Sequence, residues 1–251
     1  MKILALSDLH IETKKDMIRL KNSLIEKVDL NTIDLIIITG DIFEPAYGGN
    51  PYKQLADYFD NKKVICTLGN HEFIGRTIDK TIDFYRRSYQ PDKYDVHYLD
   101  VIDYIDIGNL RFIGNVLFYD GSTKTISTQD VGDFSGAGWT DKHIVNFDYK
   151  LECAKNIEKI KENVEIDKIN ILCTHCIPHW KLNGHVVDDS NYENALNAYG
   201  GVADLLERIN VNYSFSGHTH WRMIGKFINN CYCVNVGGNM FRPINYHVMD
   251  I

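Results

Sequence analysis

Five short apolar runs, at residues 2–7, 35–39, 64–68, 169–174 and 213–217, constrain what this chain can fold into more than any other feature. Each is rich in β-branched or aromatic residues and stops at a polar or glycine-containing turn, the pattern of a buried strand. Between them, residues 15–28, 51–60, 76–89, 149–163 and 194–209 read as amphipathic helices, with apolar residues at helical spacing in LLERI at 205–209. Strand and helix alternating in this way imply an α/β fold with helices laid over a sheet. A second set, 101–107 with 110–116 and 223–228 with 231–236, reads as hairpins turning at Gly108-Asn109 and Asn229-Asn230. The expected architecture is a two-sheet β-sandwich flanked by helices, α-β-β-α. No repeat or linker interrupts it, so residues 1–251 are read as one domain, long enough to bury a substantial core.

Composition serves mainly to exclude. The chain has 27 Lys and Arg against 34 Asp and Glu, a net charge of −7, which disfavours non-specific binding to nucleic acid. No apolar run approaches the roughly 18 residues of a membrane span. The opening MKILALSDLHIE is interrupted by Asp8 and His10 and lacks a small-residue cleavage pattern, so it reads as a first strand, not a signal peptide. The expected location is the cytoplasm, with no membrane partner, and the six cysteines are expected as reduced thiols.

The residues just past each strand are more informative. Asp8-Leu9-His10 comes after the first, Gly40-Asp41 after the second and Gly69-Asn70-His71-Glu72 after the third; His175 ends the fourth, and Gly217-His218-Thr219-His220 the fifth. Ligands of open α/β sheets bind outside the carboxyl ends of strands, so these residues converge on one edge. They suit two close metal ions. Asp8, His10, Asp41 and His220 can hold the first; Asn70, His175 and His218 the second, with Asp41 bridging. Mixed imidazole and carboxylate donors favour Mn, Fe, Zn or Co over calcium or an all-oxygen magnesium site. The glycines before Asp41, Asn70 and His218 are expected to let the backbone turn sharply there.

The five blocks D-x-H, G-D, G-N-H-[DE], H and G-H-x-H, in this order over residues 8–220, resemble the calcineurin-like metallophosphoesterase superfamily. The resemblance implies hydrolysis of a phosphomonoester or phosphodiester by in-line attack of a hydroxide bridging two metals. It assigns His218 and His220 to different metals. His71 resembles the family histidine that protonates the leaving oxygen or steadies the phosphoryl group, a task suited to an imidazole. Glu44, three residues after Asp41, stands where protein phosphatases of the superfamily have an Asp that orients this histidine; a solvated or capping role is the alternative. Glu72 has the same two readings. The chain departs from the protein-phosphatase pattern G-D-x-x-D-R-G, reading GDIFEPA at 40–46 without the phosphate-clamping Arg. It looks more like the bacterial and phage-type members, and a small-molecule phosphoester is the expected substrate. A nuclease would want a basic groove, and a non-catalytic scaffold would be expected to have lost a ligand or His71.

Weaker candidates surround these. His179 and His185 either line the substrate pocket or are surface or hydrogen-bonded histidines, and Trp180, Trp221, Phe43 and Tyr47 either stack a base or ring or pack in the core. Cys173 and Cys176 flank residues of the metal pattern and are not read as a redox pair; Cys231 and Cys233 share one face of a strand. Residues 119–146, rich in Gly, Ser, Thr and Asp, form a solvated loop or a lid. In 237–243, Arg242 is either a phosphate contact or part of a plain turn before an edge strand.

Overall fold

The computed structural model describes residues 1–120, 140–182, 204–238 and 244–251. The runs KILAL and LIIIT form β1 (Lys2–Leu6) and β2 (Leu35–Thr39), parallel, with Ile3 opposite Leu35. β3 (Val64–Thr67) and β4 (Val96–Tyr98) extend this sheet in parallel. The second sheet contains β5 (Tyr104–Ile107), β6 (Leu110–Asn115), β7 (Ile169–Thr174), β8 (Tyr213–Ser216), β9 (Met223–Ile228) and β10 (Cys231–Asn235). Its order is β5-β6-β7-β8-β10-β9, a parallel centre with an antiparallel hairpin at each edge. A last strand, β11 (His247–Asp250), runs antiparallel to β1 at the edge of the first sheet.

The period of two along each strand decides which side chains meet. Ile3, Ala5, Leu35, Ile37 and Ile65 of the first sheet share an inner core with Leu110, Phe112, Ile171, Cys173, Phe215 and Val234 of the second. Their alternates Leu4, Leu6, Ile36, Ile38, Val64 and Cys66 join an outer core with residues of the helices, including Leu24, Leu55 and Tyr85. Both faces of β2 are buried, which is why LIIIT has no polar alternation. Each fully buried aliphatic or aromatic side chain stabilises the fold by about 1.5–3 kcal/mol.

The helices are α1 (Lys14–Ile25), α2 (Pro51–Tyr58), α3 (Ile78–Ser88), α4 (Leu99–Ile102), α5 (Tyr149–Asn163) and α6 (Leu205–Arg208). Their starts are written locally. Thr13 and Asp16 form a reciprocal capping box on α1, and Asn50 caps α2 ahead of Pro51. No helix among the described residues is long and apolar enough to cross a membrane.

The expected two-sheet, helix-flanked α/β architecture is the one observed; the local differences have identifiable causes. Residues 101–107 are not one strand: α4 occupies their start, and Asp103, at φ 68°, turns the chain into β5. Buried Asp100 pins that turn, accepting the backbone N–H of Leu68 at 2.7 Å and of Val116 at 2.8 Å. β4 is only three residues long, too short to show a period. Of helix 194–209 only α6 lies within the described residues, and 121–139 of the expected loop, His185 and Arg242 lie outside them.

Candidate metal centre

The carboxyl ends of β1, β2, β3, β7 and β8 deliver the residues singled out above. Five of them have left-handed backbones that side-chain-bearing residues seldom adopt: Asp8 (φ 51°), His10 (φ 43°), Asp41 (φ 48°), His218 (φ 65°) and His220 (φ 56°). Such conformations cost about 1–3 kcal/mol each and persist only where surrounding bonds enforce them. Here Asp8 N–H donates to Gly40 O at 3.1 Å, His10 N–H to Asp41 O at 2.9 Å and Gly217 N–H to His175 O at 2.9 Å. The glycines act in two ways. Gly40 has a positive φ of 80°, as a sharp turn requires, whereas Gly69 and Gly217 are needed for space. A Cβ on Gly69 would lie 2.0 Å from Asp41 Oδ1, and one on Gly217 would lie 1.7 Å from Ser7 Oγ.

Among the described residues, His10, Glu44 and His71 make one close group, and two further donor sets stand at the strand ends. Asp8, His10 and His220 form one, with His220 Nε2 3.5 Å from Asp8 Oδ1 and 3.4 Å from His10 Nε2. Asp41, His175 and His218 form the other, with His175 Nε2 3.4 Å from Asp41 Oδ2 and 3.1 Å from His218 Nδ1. Asn70 Oδ1 joins the second set, 2.9 Å from His175 Nε2. Asp41 faces both: its Oδ2 is also 3.8 Å from His10 Nε2. Asp8, His10, Asp41, Asn70 and His175 are buried, whereas the His220 side chain is 40% exposed and opens the cluster to solvent.

The hydrogen bonds show that this cluster fits a cation. His175 Nδ1–H donates to Thr39 O at 2.9 Å, so in the neutral ring Nε2 carries a lone pair. That lone pair meets Asn70 Oδ1 and Asp41 Oδ2, both acceptors. Acceptors that converge in this way favour a positive charge between them. Without a metal, a proton supplies it: burial pushes His175 down, but Asp41 and Asp8 outweigh burial and raise it to about 10. His218 goes the other way, to about 3, through burial and the charge of His175. His10 repeats the pattern, with Nδ1–H donating to Glu44 Oε1 at 2.6 Å and Nε2 left for the cluster. Carbonyl and carboxylate partners that fix the ring of a metal-binding histidine in this way are a common accompaniment of metal sites.

His71 stands beside the two sets, with Nε2 3.9 Å from Asp41 Oδ2 and Nδ1 2.9 Å from Glu44 Oε1. Glu44 therefore touches two imidazoles. Burial opposes ionisation of Glu44, but its bonds to His10 and His71 outweigh that and hold it at about 2. Burial likewise lowers His71, while the Glu44 bond and the Asp41 charge raise it to about 9. In the metal-free protein the His71 ring is therefore expected to titrate near 9 by NMR. Glu44→Gln keeps an acceptor but removes the charge, so it should move that midpoint toward lower pH; an unmoved midpoint would remove Glu44 from this role.

Glu72 touches neither the His71 ring nor bulk solvent; it stands behind the candidate ligands. Its carboxylate is buried and accepts the N–H groups of Ile42 at 2.7 Å, Phe43 at 3.0 Å and Gly69 at 2.7 Å, tying the Asp41 and Asn70 loops together. Burial and the nearby Asp41 charge raise it to about 7. Trp180 stacks on His179 at 5.9 Å, and His179, fully buried, lies 3.2 Å from Glu207. Trp221 is half exposed, Phe43 stacks on Tyr47 at 5.1 Å, and Cys173, Cys176, Cys231 and Cys233 are buried free thiols. Ser7, Thr39, Tyr119 and Asp141, none of them in a motif, support the cluster from behind: Ser7 Oγ donates to Thr39 O, which accepts from His175, and Tyr119 donates to Asp141, which accepts from Asn70. Nothing in their spacing announces them.

The family model of calcineurin-like phosphoesterases matches residues 1–222. The chain belongs to the calcineurin-like phosphoesterase family. Metal-dependent phosphoester hydrolysis is the activity class of that family. No curated protein matches the chain by sequence. Among solved structures, a phosphopantetheinyl hydrolase from Mycobacterium tuberculosis is similar with a TM-score of 0.71 at 16% identity, over 94% of this chain and 88% of that one. A Thermus thermophilus protein is similar with a TM-score of 0.55 at 12% identity, over 94% of this chain and 88% of its own. The anchor in the inner membrane complex of Plasmodium reaches 0.51 at 14% identity, over 95% of this chain and 71% of that one. At these identities the likeness is one of fold.

Proposed function

We propose that this family member hydrolyses a small-molecule phosphoester at a centre of two metal ions. Asp8, His10 and His220 would hold one ion, and Asn70, His175 and His218 the other, with Asp41 shared. The observation that carries this reading is the position of Asp41 Oδ2 between the two sets, 3.8 Å from His10 Nε2 and 3.4 Å from His175 Nε2. Two divalent ions, when bound, polarise phosphoryl oxygens and lower the pKa of water to near neutrality. The residues do the rest. Glu44 fixes the His71 ring through Nδ1, so that Nε2 faces the cluster and can hand its proton to a leaving oxygen. The net charge of −7 supports a small substrate over nucleic acid. We read residues 1–251 as one domain, a reading supported by the pairing of β11 with β1.

The test is turnover of a chromogenic phosphomonoester and a chromogenic phosphodiester by the metal-free protein, before and after addition of Mn. Turnover should require Mn and vanish on chelation, and the preferred probe separates monoesterase from diesterase. Metal-independent turnover, or a chain that takes up no metal, would contradict the reading.

A further inference from the structure

Asn70 is the weakest of the candidate ligands and, unlike a carboxylate, can present its wrong end. Its amide has an acceptor face and a donor face of nearly equal shape, and a metal tolerates only the oxygen. Something must therefore choose the rotamer.

Asp141, outside every motif of the sequence, is placed to do so. It lies in a single 3-10 turn, Thr140–His143, and is 2% exposed. Its Oδ1 accepts from Asn70 Nδ2 at 2.7 Å, and its Oδ2 accepts from the Tyr119 hydroxyl at 3.1 Å. A carboxylate can only accept, so the NH₂ of Asn70 must face Asp141. The oxygen must then face the other way, where it lies 2.9 Å from His175 Nε2. Tyr119, fully buried, holds the carboxylate in turn. The chain Tyr119–Asp141–Asn70 thus runs from the core to the second donor set and terminates there in an oxygen.

We infer that Asp141 is a positioning residue for the second metal ion, acting by locking the Asn70 amide with its oxygen toward His175, Asp41 and His218. This rests on the dimetal reading above. Partners behind metal ligands typically contribute about 10–100-fold in metal affinity, and the effect here should fall on one of the two ions. Asp8, His10 and His220 belong to the other donor set.

The experiment is a calorimetric titration of the metal-free protein with Mn, which needs no substrate. Wild type should take up two ions. Asp141→Leu, which leaves the Asn70 NH₂ without this acceptor, should weaken one of them by about 10–100-fold and leave the other unchanged. Tyr119→Phe should give a smaller loss at the same ion. The double variant Asn70→Asp with Asp141→Asn is the decisive arm. A carboxylate at position 70 has no wrong end, and the amide at 141 can still donate to it, so the lost affinity should return. Unchanged affinity in Asp141→Leu would overturn the inference while leaving the two-metal reading intact. Equal weakening of both ions with a lowered metal-free melting temperature, or no recovery in the double variant, would also overturn it and make Asp141 a structural residue only. A wild type that binds no second ion would overturn both readings together.

Discussion

Replacing His71 with alanine is expected to lower turnover by about 10²–10⁴-fold, the usual contribution of a general acid, while two metal ions still bind. The separation has a geometric origin. His71 Nε2 stands 3.9 Å from Asp41 Oδ2, whereas the two donor sets are complete without it. Its other nitrogen is committed to Glu44, so the ring has one nitrogen free for a substrate. The backbone N–H of residue 71, which donates to Asp41 Oδ1 at 3.0 Å, survives the substitution and keeps the loop in place. The measurement is kcat beside metal content. A substrate whose leaving group needs no proton, such as a nitrophenyl ester, should lose less than one with an aliphatic leaving group. Equal losses on both would take the proton-donating role away from His71.

Asp41→Asn should have the largest effect of all, because one substitution reaches both donor sets. Its carboxylate is buried and faces His10, His71 and His175. Burial alone would raise its pKa, but His175 and the other imidazoles hold it well below the carboxylate range, so the charge is built into the fold. The amide keeps the shape and loses that charge. We expect at least one ion per chain to be lost and turnover to fall about a thousandfold or more, matching the several kcal/mol that metal-ion charge stabilisation supplies. The change should be visible in metal content before any assay is run. Full occupancy of both ions in Asp41→Asn would remove the residue from its shared position.

These residues were legible because the chemistry fixes both their type and their place. Strand runs such as LIIIT, buried on both faces, announce the parallel sheet, and polar residues just past such strands sit on one edge by topology alone. The left-handed backbones of Asp8, His10, Asp41, His218 and His220 were not legible, since a local pattern argues against them and only bonds across loops enforce them. Glu72 shows the same limit. Adjacent to His71 in sequence, it invites a catalytic reading, yet its carboxylate turns to three backbone N–H groups. Asp141 lies 71 positions from Asn70, and β4 and β11 are too short and mixed to carry a period; only tertiary pairing defines them.

The central claim is that two metal ions share Asp41. Anomalous diffraction from crystals grown with Mn tests it most directly, because it locates ions independently of any substrate. Two peaks are expected, one bounded by Asp8, His10 and His220 and the other by Asn70, His175 and His218, with the Asp41 carboxylate between them. A single peak away from Asp41, or a fully occupied crystal with none, would contradict it.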